Sequence, residues 1–109
     1  MQRRAFKRVP ANIRVRFYCY DTAYLGTVTN LSENGMFIST DKMLFPFDSR
    51  IEIIFSTDQK LLKVPVRVIR ITKSEDVFNG MGVELMDTHG GYLELVNSLK
   101  CTVDRGYSA

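Results

Sequence analysis

Ile13-Arg14-Val15-Arg16-Phe17-Tyr18-Cys19-Tyr20 alternates inward-type apolar residues with arginines and tyrosines over eight positions. Successive side chains of an extended backbone point to opposite faces, so a period of two marks a half-buried antiparallel strand. The same period recurs on the C-terminal side. After a turn expected at Asp21–Tyr24, Leu25–Leu31 runs back as a Thr-rich second strand, and Ser32-Glu33-Asn34-Gly35 turns the chain into a third, Gly35–Thr40. Pro46 and Asp48 punctuate the next connection. Arg50–Ser56 places Ile51, Ile53 and Phe55 on one face and ends in the polar turn Thr57–Lys60.

Leu61–Thr72 is the longest strand, with Leu62, Val64, Val66 and Val68 sharing a face. Its parity changes at Val68-Ile69, which reads as a bulge, and Pro65 removes a ladder donor, which reads as an edge position. Gly80-Met81-Gly82-Val83-Glu84-Leu85 is a sixth strand whose glycines admit a close backbone or a ligand. Only Tyr92, Leu95, Val96, Leu99 and Val103 follow helical spacing, from about Gly91 to Cys101. The fold expected is therefore all-β: a six-stranded antiparallel split β-barrel with a short C-terminal α-helix, closed so that exposed edges disappear.

With 109 residues, the chain is expected to form a single domain over 1–109: a flexible basic arm (1–12), the barrel (13–86) and the helix (88–103). Six of the fifteen Lys and Arg side chains fall within residues 1–16, which contain no acid, so a net charge of +3 conceals a body of net −3. The cationic field sits at one end. Cys19 and Cys101 have neither a CxxC pattern nor histidine company and read as reduced thiols, so no metal is expected. The sole histidine, His89, has no nucleophile motif around it and reads as a helix-start residue. No enzyme is expected. No apolar run reaches the ~20 residues of a membrane helix, and the arginine-rich start lacks the apolar core of a signal peptide, so a cytoplasmic location without a membrane span is expected.

Two motifs carry chemistry. Arg4 and Arg8 place guanidinium forks at i and i+4, a group that matches both phosphates and the O6/N7 edge of guanine. Asn30-Leu31-Ser32-Glu33-Asn34-Gly35 supplies an amide, a hydroxyl and a position without a Cβ. Asn30 and Ser32, two apart, are expected on one face while the strand holds, and a turn centred near Thr22-Ala23 would set Asn30 opposite Val15. The local reading is a turn in which Asn30 and Ser32 satisfy backbone groups at a strand end.

Arg-x-x-x-Arg followed about twenty residues later by Asn-x-Ser-x-x-Gly, with Gly80-x-Gly82-Val83-x-Leu85 further on, resembles the PilZ domain, a bacterial receptor for cyclic di-GMP, over nearly the whole chain. The resemblance implies that Arg4 and Arg8 grip guanine edges and phosphates while Asn30, Ser32 and Gly35 line the barrel surface, with Gly80 and Gly82 on the neighbouring strand. Asn30 stands where the family often has Asp. Arg3, directly before the first motif, resembles the arrangement that accepts an intercalated cyclic di-GMP dimer, two ligands per site. No cofactor beyond this ligand is implied. The family also implies a protein effector, with motility and exopolysaccharide production among the outputs. Two other readings compete: a small β-barrel binding single-stranded nucleic acid, weakened by the absence of a basic-aromatic repeat and by the acidic body, and a PilZ-like interaction domain that has lost its ligand.

Overall fold

The computed structural model describes residues 8–19, 22–43, 50–56, 61–75, 77–87 and 89–106. Six strands, β1 (Val9–Cys19), β2 (Thr22–Leu31), β3 (Gly35–Met43), β4 (Arg50–Ser56), β5 (Leu61–Ser74) and β6 (Val77–Leu85), precede one helix, α1 (Gly90–Gly106). All pairings are antiparallel and the sheet closes on itself in the order β1-β2-β3-β6-β5-β4. The seam between β1 and β4 is short: Val15 pairs with Phe55, Arg16 with Ile54 and Phe17 with Ile53.

The alternation seen in sequence becomes the core. Val15, Phe17, Val28, Ile38, Ile53, Phe55, Val64 and Val66 are all buried, each such side chain contributing about 1.5–3 kcal/mol by leaving water. Arg14, Arg16 and Tyr18 take the solvent face of the same strand. The bulge read at Val68-Ile69 is present, because Val68 pairs with Val83 while Arg70 pairs with Gly82, leaving Ile69 unpartnered and 60% exposed. Pro65, however, is not on an edge. It lies opposite Glu52 of β4, and its carbonyl accepts the Met86 amide at 3.2 Å, so closure gives β5 neighbours on both sides.

Helix α1 packs on β1 and β5. Tyr92 and Val96 are fully buried, and the Tyr92 ring meets Phe55 at 6.2 Å and 56°. His89 starts the helix, as its sequence reading has it, and caps it: its Nδ1 accepts the Tyr92 amide at 3.1 Å, and its Nε2 lies 3.0 Å from the Lys63 carbonyl. The helix begins at Gly90, near the expected start, and its backbone runs on to Gly106.

Two boundaries move. β1 begins at Val9, paired with Leu31, so residues 9–12 belong to the barrel and not to the arm. The first hairpin is tighter than expected: Cys19 pairs with Thr22, leaving two residues between the strands, and a register shift between Pro10 and Ile13 follows. Asn30 consequently lies opposite Pro10 and not Val15, which pairs with Gly26.

Candidate functional site: a cleft across four strands

One register row runs across four strands. Asn30 of β2 pairs with Phe37 of β3, Phe37 with Gly82 of β6, and Gly82 with Arg70 of β5. Register shifts at both ends, between Val28 and Asn30 and between Val68 and Arg70, coil the sheet locally there. The row forms the floor of a cleft of about 460 Å³ lined by Arg8, Asn30, Phe37, Ile69, Arg70, Gly82 and Val83.

Arg8 closes one end. Its Nη1 donates to Asn30 Oδ1, joining two side chains 22 residues apart in sequence. Pairing of Pro10 with Asn30 places the residue two before Pro10 beside the amide, so strand register brings the two motif halves together. At the other end the Arg70 guanidinium lies 5.8 Å from the centroid of the Phe37 ring, a cation–π contact that leaves a planar cation on the wall. Gly82, between Phe37 and Arg70, keeps the floor flat. Two guanidinium groups, one primary amide and a bare backbone position suit a flat, anionic ligand with hydrogen-bonding edges.

The sequence-predicted residues are distributed unevenly over this site. Arg8, Asn30 and Gly82 line the cleft. Arg3 and Arg4 lie outside the described residues. Ser32 is buried at 3% exposure, and its Oγ accepts the Asn34 amide at 3.2 Å. It does not share an exposed face with Asn30, because β2 ends at Leu31 and the chain turns inward there. Gly35 is also buried. Its φ is not positive, as for every described glycine. Its role is close approach: a Cβ there would stand 2.2 Å from the Val83 carbonyl oxygen. Gly80, two residues from Gly82 on the same face of β6, does not line the cleft; a Cβ there would come within 2.8 Å of both Phe37 Cζ and Thr72 Oγ1, so its bareness seats the Phe37 ring.

The turn carrying Ser32 and Gly35 is held from inside by Tyr92. The phenol oxygen lies 2.7 Å from the Ser32 carbonyl and 2.9 Å from the Gly35 carbonyl, and the Ser32 amide donates to Gly35 O at 2.8 Å. Burial pushes the Tyr92 phenol well above its ordinary range, against the smaller opposing pulls of the Arg8 charge and the Ser32 hydrogen bond. It therefore stays a donor. Lys100 of α1 adds an ion pair to Glu33 at 2.8 Å. Helix, turn and cleft are thus connected by direct contacts.

Sequence reasoning does not assign Phe37, Ile69, Arg70 or Val83 to the site, although Val83 stands in the Gly80-x-Gly82-Val83-x-Leu85 motif and Ile69 at the parity change. The available signal is the parity change at Val68-Ile69, which brings Arg70 onto the same face as its register partner Gly82.

Comparison with known proteins gives the same architecture a family. The model of the PilZ domain matches residues 2–99. No curated protein sequence matches the chain. Among solved structures, the PilZ domain with c-di-GMP of YcgR from Escherichia coli superposes with a TM-score of 0.78 at 14% identity, over 98% of each chain. The Inhibitor of motility MotI/DgrA of Bacillus subtilis gives 0.72 at 17% identity over 99% of this chain, which spans 53% of that protein. The PilZ domain of CeSA from a cellulose-synthesizing bacterium gives 0.53 at 23% identity, over 94% and 99% of the two chains. At such identities the superpositions speak for the fold, and with the family model spanning 98 of 109 residues, the chain belongs to the PilZ domain family.

Proposed function

We propose that this domain is a non-catalytic receptor for cyclic di-GMP in the cytoplasm. The observation that carries the reading is the Arg8–Asn30 hydrogen bond at the mouth of the four-strand cleft, which unites the arginine motif with the Asn-x-Ser-x-x-Gly motif. A ligand with two phosphates and two purines needs neutralisation of charge, edge readout and planar stacking partners, and Arg8, Asn30 and the Arg70–Phe37 pair offer these in one cleft. The YcgR domain that superposes over 98% of the chain was solved with this ligand. Arg4 supplies the second fork of the motif, and Arg3 a further planar cation for a second, intercalated ligand. In this reading the N-terminal arginine arm orders over the ligand, Ser32 and Gly35 shape the turn that positions Asn30, and a protein effector senses the ordered arm.

Calorimetric titration with cyclic di-GMP, with GTP and a short oligonucleotide as controls, tests the reading. Saturable binding of cyclic di-GMP alone is expected, with about two ligands per chain. A value of one removes the dimer and keeps the receptor. An oligonucleotide that binds while cyclic di-GMP does not would replace it with the single-stranded nucleic-acid reading.

A further inference from the structure

A second register row crosses the barrel away from the cleft. Leu25 of β2 pairs with Arg16 of β1, Arg16 with Ile54 of β4, and Ile54 with Lys63 of β5. The row therefore alternates apolar, cationic, apolar, cationic. Leu25 is 60% exposed, and Leu61, at the start of β5, is 56% exposed. Two shallow grooves of about 210 and 160 Å³ flank the row and share Arg14 and Leu25 as walls. Arg14, Arg16 and Lys63 form no ion pair with a described residue. Among all residues of β1, β2, β4 and β5 the one carboxylate is Glu52.

We propose that this wall docks a protein segment that alternates acidic and apolar side chains. Aliphatic groups with this much exposure gain by burial, and cations that pair with no described residue give such an interface its electrostatic sign. Closure of the barrel leaves no free strand edge here, so recognition runs through side chains and grooves and not through strand addition. A second copy of this chain fits poorly, because a two-fold contact through the wall would oppose Arg14, Arg16 and Lys63 with themselves. Single-stranded nucleic acid fits poorly as well: the row carries aliphatic Leu25 and Ile54, and stacking platforms need successive aromatics. The proposal does not depend on which ligand occupies the cleft.

The test replaces Leu25 with a photo-crosslinking phenylalanine in the full chain in its native host, with the same substitution at exposed Lys73 as control. A protein joined from position 25 and not from 73 is then purified and titrated against wild type, Arg16→Glu and Leu25→Ser. Each substitution should weaken binding at least 10-fold while circular dichroism and thermal unfolding stay as in wild type. Reversal of the contacted acid to lysine in the partner should restore binding to Arg16→Glu. The proposal is overturned if position 25 yields no specific adduct, if the adduct's partner binds both variants as tightly as wild type, or if charge reversal gives no rescue. It is equally overturned if the Leu25 wall proves to mediate self-association by sedimentation, or to bind anionic phospholipid vesicles or an oligothymidine in place of a protein.

Discussion

Gly82 faces Arg70 across the β5–β6 ladder with room for one methyl group between them: a Cβ built on the glycine would lie 3.7 Å from Arg70 Cβ, 3.9 Å from Arg70 Nε and 3.9 Å from Phe37 Cδ1. These are ordinary van der Waals distances, so the fold accepts alanine there while the cleft floor does not stay flat. Gly82→Ala should leave the thermal midpoint nearly unchanged and weaken cyclic di-GMP binding about 10-fold or more, the cost of lifting a ligand about 1.4 kcal/mol out of its contacts. Differential scanning calorimetry paired with titration separates the two effects, and an unchanged affinity would remove Gly82 from the site.

Arg70 should act as a stacking cation and not merely as a positive charge. Its guanidinium already lies over Phe37, so a purine placed against the other face meets a preformed plane. Arg70→Ala should lose roughly 1–2 kcal/mol of ligand affinity, and Arg70→Lys should recover little of it, since an ammonium keeps the charge but not the plane. Titration of both variants against the same ligand stock decides this. Equal recovery by lysine would assign Arg70 a purely electrostatic part.

The strands were legible because closure demands strict alternation: Ile51, Ile53 and Phe55, and Leu62, Val64, Val66 and Val68, all point inward as their spacing requires. Positions governed by non-local register were not legible. The pairing of Cys19 with Thr22 and a register shift between Pro10 and Ile13 decide that Asn30 meets Pro10, and no local pattern encodes that sum. Ser32 belongs to a motif, yet whether its hydroxyl faces a ligand or the Asn34 amide depends on where β2 ends. Arg70 carries no motif at all. It reaches the cleft through the bulge at Ile69 and through pairing with a residue twelve positions later.

Gly35 offers a sharper steric test than Gly82. A methyl at this position would sit 2.2 Å from a backbone carbonyl oxygen and 3.2 Å from Glu84 Cα, and backbone cannot rotate out of the way as a side chain can. Gly35→Ala should therefore push β3 from β6 and cost about 3 kcal/mol, with ligand affinity falling as a consequence because Phe37 moves with β3. Urea unfolding measures the loss. A variant as stable as wild type would show that the two strands separate more easily than their packing implies.

Tyr92 should make the domain sensitive to alkali. Its folded-state phenol titrates above the unfolded one, so its stabilising contribution is complete below the unfolded value of about 10 and declines as pH rises beyond it. The decline approaches 1.4 kcal/mol per pH unit while only the unfolded chain ionises, and ends once the folded phenol ionises as well. Tyr92→Phe removes this component and leaves the Ser32 carbonyl without its donor, whereas Gly35 O keeps the Ser32 amide. The variant should be about 1–3 kcal/mol less stable at neutral pH, and its stability should fall less steeply than that of wild type between pH 9.5 and 11. Chemical denaturation across that interval gives both quantities, and parallel curves for the two proteins would show that the phenol proton has no part in holding the turn to the helix.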